Sequence, residues 1–243
     1  SRCKEESTYN LALFFSTSIS SLDVDQIFSS FKSDLSTMSS SEIEFFFSHT
    51  FKLSKEILLK FLLTEDSTSI LLRLLLNFNH QFRDKLVEKE FTKDEILKIL
   101  LQKNKNDENV LHLIMATSNR EDMEKLFKSL KVHLNYLDIE EMILSKDTKG
   151  MSILHVALLN KDEHNFSCAY DFIFEILGVD KMKNYIKQLD SDYIYILKTI
   201  SFNSSPETMN LFHNKAKTLL TKQELDKHLI LMDAVDFDQK LSE

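Results

Sequence analysis

Apolar residues recur along this chain in short clusters that return at a long interval. Aligned on one leucine or isoleucine, four segments read SILLRLLLNF (69–78), NVLHLIMATS (109–118), SILHVALLNK (152–161) and DYIYILKTIS (192–201). Their shared apolar positions are Leu71, Leu111, Leu154 and Ile194, spaced 40, 43 and 40 residues apart. Such spacing marks a repeated supersecondary unit, since one short unit cannot bury its apolar face alone and stacks on a neighbour. YNLALFFSTS (9–18) reads as a fifth, more distant copy. The 60 residues between it and the copy at 69 call for an insertion or a further unit.

Each short apolar stretch leads into a more amphipathic one, as in REDMEKLFKSL, NFSCAYDFIFEIL and SPETMNLFHNKAKTLL. A third piece then leads to the next copy: LSKEILLKFLLTEDS, FTKDEILKILLQKN, YLDIEEMILSKD and GVDKMKNYIKQLDS. In FTKDEILKILLQ, Thr92 has the side chain of an N-cap and Glu95 stands three residues on, the pairing of a capping box. Ile96, Ile99 and Leu100 then follow at helical spacing. Ser205-Pro206-Glu207 is another start signal, because proline is pre-set for the first helical turn. In the serine-rich stretch 16–41, Leu22, Ile27, Phe28, Phe31 and Leu35 keep near-helical spacing and predict a helix from about 23 to 35. Phe45, Phe46 and Phe47 read as core. The atypical first 65 residues fit a capping region, as the ends of repeat arrays usually differ from their middles.

Composition narrows the class. The 243 residues hold two glycines and one proline, with 43% hydrophobic and 28% charged residues. Loop-rich and β-rich folds need glycine wherever φ turns positive, whereas helix interiors avoid both residues. The chain is therefore expected to be all-α, with residues 1–65 as an N-terminal or capping region and 66–243 as a helical repeat array. A net charge of −8 with only four arginines argues against nucleic acid, whose binding needs clustered cations to displace counterions. No run approaches the roughly 18 apolar residues of a membrane span. Cys3 and Cys168 have no metal-ligand spacing, and a reducing, cytosol-like compartment is expected. The tripeptides at Asn165 and Asn203 would matter only in a secreted protein. The chain begins at Ser1 without methionine, so a fragment or processed product is expected. Scarce Gly, Ala, Arg and Pro beside abundant Lys, Phe, Ile and Asn fit an AT-rich genome.

The stretch DTKGMSILHVALL (147–159) resembles the ankyrin-repeat family, whose repeats open D-x-x-G-x-T-P-L-H-x-A-A. Asp147, Gly150, Ser152, Leu154, His155 and Ala157 fall on that pattern, with serine for threonine and Ile153 at the usual proline. NDENVLHLIMATSNREDMEKLF is similar to the same family through Leu111, His112 and the pair Leu126-Phe127. The copies at 69–78 and 192–201 keep only the apolar pattern, with Leu72 and Tyr195 at the histidine position. The resemblance implies that Gly150 permits a tight turn into the inner helix, and that Ser152, His112 and His155 tie such turns together. The period of 40–43 exceeds the family's, about 33. A helix in place of the usual hairpin loop, with an insertion around Lys161–Asn165, accounts for the excess. HEAT-like helical repeats are the alternative architecture.

Little in the chain carries chemistry. Dinucleotide, P-loop and nucleophile-elbow motifs each need more glycine than any one stretch supplies. H-E-x-x-H, C-x-x-C and EF-hand patterns are missing from the sequence. Ser29-x-x-Lys32 is a chance match in a serine-rich run, and Glu163-His164 is a surface pair. Cys168, among Phe166, Ala169, Phe172 and Ile173, reads as a small buried hydrophobe. Glu140 and Glu141 are adjacent and point apart on a helix. No catalytic, metal-binding or cofactor residues are assigned, and no cofactor is expected.

The expected function is a non-catalytic protein–protein interaction module. The resemblance, with the AT-rich composition, implies a host-protein-binding region of a bacterial effector or toxin, acting in host cytosol or nucleus. The alternative is a structural, regulatory or self-associating arm of a larger toxin or enzyme whose catalytic domain lies elsewhere. By resemblance, binding falls on the inner-helix face and the turns before each copy, at Asp107, Asn109, Asp147, Lys149 and Met151. His112, Gly150, Ser152 and His155 are assigned to the turns themselves.

Overall fold

The computed structural model describes residues 54–63, 89–117, 119–160, 162–191 and 203–225, with residues 68, 71, 72, 75, 76, 85 and 86. The helix expected over 23–35, the phenylalanines at 45–47, Ser29-x-x-Lys32 and the copies at 9–18 and 192–201 lie outside them. The described helices are α1 Lys55–Leu62, α2 Lys93–Leu100, α3 Val110–Thr117, α4 Arg120–His133, α5 Tyr136–Leu144, α6 Ile153–Leu158, α7 Glu163–Ser191 and α8 Pro206–Lys217. The protein is all-α. The sole strand-like pairing among the described residues is one antiparallel bridge, Lys146 to Ser152. The chain forms two compact units, Ser1–Lys105 and Asn106–Glu243. The division expected near residue 65 falls in a stretch outside the described residues.

In the first unit α1 packs on α2. Thr92 caps α2: its Oγ1 accepts the Glu95 N–H at 3.2 Å, and the Glu95 carboxylate accepts the Thr92 N–H at 2.7 Å. Ile99 and Leu100 are buried, as their spacing predicts. Lys55 joins the helices by pairing with Glu95 at 2.9 Å while lying 5.4 Å above the Phe91 ring. Phe91 follows Glu90, whose φ is 59°. The Phe91 N–H closes back on the Leu86 carbonyl at 3.1 Å, the bond of a left-handed helix C-terminus.

In the second unit the succession of short, amphipathic and third segments becomes α3, α4, α5, then α6 and α7. α7 contains both NFSCAYDFIFEIL and GVDKMKNYIKQLDS, broken between them at Gly178 (φ 68°, ψ 178°). Essentially only glycine tolerates that combination. α8 starts at Ser205, whose Oγ accepts the Thr208 N–H at 3.1 Å, with Pro206 in the first turn.

The core of this unit lies where α7 meets α4, α5, α6 and α8. Leu111 and Leu154, aligned in sequence, are both fully buried, as is Leu71 in the first unit. Phe127 of α4 stacks on Phe172 of α7 with centroids 3.9 Å apart, and Phe166 meets the edge of Phe212 on α8 at 6.2 Å. Cationic side chains cover these rings. Lys131 lies over Phe172 and pairs with Glu175, and Lys215 lies over Tyr170 and pairs with Asp171 at 2.6 Å. A lysine stem thus shields an aromatic face while its charge stays in water.

Candidate functional site

The turns that enter α3 and α6 are built alike. Asp107 and Gly150, 43 residues apart, both have positive φ, 58° and 79°. Two residues on, Asn109 and Ser152 cap the helices. Asn109 Oδ1 accepts the N–H groups of Leu111 (2.9 Å) and His112 (3.2 Å). Ser152 Oγ accepts that of His155 at 3.5 Å. The histidines answer in kind: Asn109 N–H donates to His112 Nδ1 (3.4 Å) and Ser152 N–H to His155 Nδ1 (3.0 Å). This is a capping box in which imidazole replaces the usual glutamate or glutamine.

With Nδ1 accepting, the proton of His112 sits on Nε2, which donates to the Met151 carbonyl at 3.3 Å. The Thr148 N–H donates to the Asn106 carbonyl at 2.9 Å. One turn is thereby held against the other by two bonds, one through a buried side chain and one through backbone. Asp147 shapes the second turn. Its Oδ1 accepts the N–H groups of Lys149 and Met151, each at 2.8 Å, and the Gly150 N–H donates to the Asp147 carbonyl at 2.9 Å.

The five residues expected to meet a partner divide on this geometry. Asp107 and Lys149 are exposed, and Met151 is half-buried. Asp147 is half-buried too, and its Oδ1 is engaged by the turn. Asn109 does not belong with the surface residues: it is 1% exposed. Its Nδ2 donates to the Met142 carbonyl and to Ser145 Oγ, both at 2.9 Å. An asparagine in the N-cap position reaches α5 as well as its own helix, and no periodicity reveals that second reach. Thr148, which matches no motif in the sequence, is exposed beside Lys149.

Elsewhere the described residues offer few reactive groups. Cys168 is half-buried rather than buried, and it opens on a groove of about 410 Å3 between α4 and α7. Burial first, then Glu124, push its thiol above the ordinary range against the opposing Arg120, so it is protonated at neutral pH. The groove's charges are largely matched, Lys131 by Glu175 and Glu124 by Arg120 at 2.7 Å. No metal-holding group of His, Cys, Asp and Glu occurs among the described residues, and none of their helices is long and apolar enough to cross a membrane. Asn165 is buried, while Asn203 is exposed. Comparison with known proteins finds no matching family model, no matching curated protein and no matching solved structure.

Proposed function

We propose that this chain is a non-catalytic protein-interaction module, a stack of ankyrin-like repeats whose entry turns form a rigid recognition edge. The observation that carries this reading is the pair of ties between the turns, Thr148 N–H to Asn106 carbonyl and His112 to Met151 carbonyl. Turns locked in register hold side chains such as Asp107, Thr148 and Lys149 at set separations. That lowers the ordering cost of binding a protein surface. Asp107 adds support. Its exposed carboxylate stands on this edge at the position where the second turn has glycine. The partner is a protein. By the ankyrin resemblance together with the AT-rich composition, the form favoured is a host protein bound by a bacterial effector.

The test is cross-linked capture from eukaryotic lysate with the wild-type chain and with an Asp107→Asn, Lys149→Glu variant. One dominant protein cross-linked through Lys149, and lost in the variant at unchanged helicity, is the expected result. Capture that ignores both substitutions would remove the turn edge as the binding face.

A further inference from the structure

Among the described residues, the large apolar side chains that stay exposed fall on three elements. They are Leu137 (72%), Val179 (57%), Tyr136 (55%), Val132 (43%) and Leu144 (42%), on the end of α4, on α5 and just past the α7 break. α5 and α7 pack together, and Lys181 of α7 reaches the Glu140 carboxylate of α5 at 2.6 Å. α5 itself is the anomaly. At about 100° per residue, the buried Ile139, Met142 and Ile143 define its inner face, and Leu137, Glu141 and Leu144 lie diametrically opposite. A helix with one face in water normally carries polar residues there. Here two leucines stand seven residues apart, roughly 10 Å along the axis, with a glutamate between them.

We infer that this outer face of α5 is a docking site for an amphipathic helix with a basic flank, separate from the turn edge. Leucines at i and i+7 are the anchor spacing that a partner helix matches with its own apolar stripe. Charge selects the partner. α5 carries Asp138, Glu140 and Glu141 and no basic residue, and Asp180 adjoins Val179 on α7. Only Glu140 of these is answered, by Lys181. A second copy of α5 laid on the first would set acid against acid, and an anionic bilayer would meet the same repulsion. A helix bearing Lys or Arg beside its apolar stripe gains from both terms.

The experiment uses the full chain and two synthetic 18-residue helices with the same leucine stripe, one otherwise lysine and one otherwise glutamate. Fluorescence anisotropy of labelled peptide should show micromolar binding of the lysine helix and roughly tenfold or weaker binding of the glutamate helix. Leu137→Glu with Leu144→Glu should abolish binding at unchanged circular dichroism, and Asp138→Lys with Glu141→Lys should reverse the preference. The Asp107→Asn, Lys149→Glu variant should bind the lysine helix as the wild type does, so failure here and failure of the turn-edge reading remain distinct. Equal binding of both helices, or binding indifferent to Leu137 and Leu144, overturns the proposal. So does a concentration-dependent dimer that Leu137→Glu dissolves, because a second copy would then be the occupant.

Discussion

Gly150 and Asp107 do the same backbone work with different side chains. Each holds a positive φ two residues before a capped helix. Left-handed backbone costs an L-residue roughly 1 kcal/mol that glycine does not incur, and somewhat less for aspartate. Gly150→Ala should therefore lower stability by about 1–2 kcal/mol, whereas Asp107→Gly should raise it by about 0.5–1 kcal/mol. Urea denaturation of the two variants reads both signs. A loss in both would show that the Asp107 carboxylate stabilises the turn. The glycine was legible from sequence because it is one of only two in the chain. Asp107 was not, because aspartate is at home in many loop conformations and only φ tells them apart.

Among the elements, α7 depends most on its neighbours. Past the Gly178 break it brings Tyr185 into the interior, where the hydroxyl donates to the Ile143 carbonyl at the end of α5 (3.0 Å) and accepts the Leu154 N–H of α6 (3.4 Å). One side chain thus joins three helices. Tyr185→Phe leaves a buried carbonyl without that donor and should cost about 1–2 kcal/mol at neutral pH. Burial pushes the Tyr185 hydroxyl up to about 12 from 10. The folded state therefore favours the protonated phenol, so this contribution is complete below pH 10 and disappears as pH rises from 10 to 12. Denaturation midpoints across that range should converge for wild type and variant, and parallel curves would contradict the assignment. The Thr92 and Ser205 caps needed no such knowledge, since each is written in three or four consecutive residues.

At the scale of the whole second unit, ion pairs tie α7 to its neighbours: Lys131 to Glu175, Asp171 to Lys215, Glu140 to Lys181, and Lys187 to Glu224. Glu224 is the most perturbed. The Lys187 ammonium first, then the Thr221 N–H at 2.8 Å, hold its carboxyl down to about 2 from 4.5. A depressed carboxylate stabilises the folded state above its unfolded pKa, and the effect is lost as pH falls from about 4.5 towards 2. Wild type should therefore exceed Glu224→Gln in denaturation midpoint at pH 6, with the gap shrinking between pH 5 and pH 3. A gap constant with pH would mean that packing, not charge, holds the C-terminal segment on α7.

The all-helical class and the helix starts were set by the sequence itself, because each depends on neighbours within a few residues or on a simple count. Residues 147–155 are the clearest case: Asp147, Gly150, Ser152 and His155 form a turn and cap through bonds that span three or four positions. What only the tertiary structure decided were the contacts that cross from one layer to the next. His112 reaches Met151 over 39 residues, Asn109 reaches Met142 over 33, and Tyr185 reaches Ile143 over 42. It also decided which apolar residues stay outside. In YLDIEEMIL the two faces of α5 read alike as hydrophobic. Only packing against α4 and α7 determined that Ile139 and Ile143 turn inward and that Leu137 and Leu144 face water.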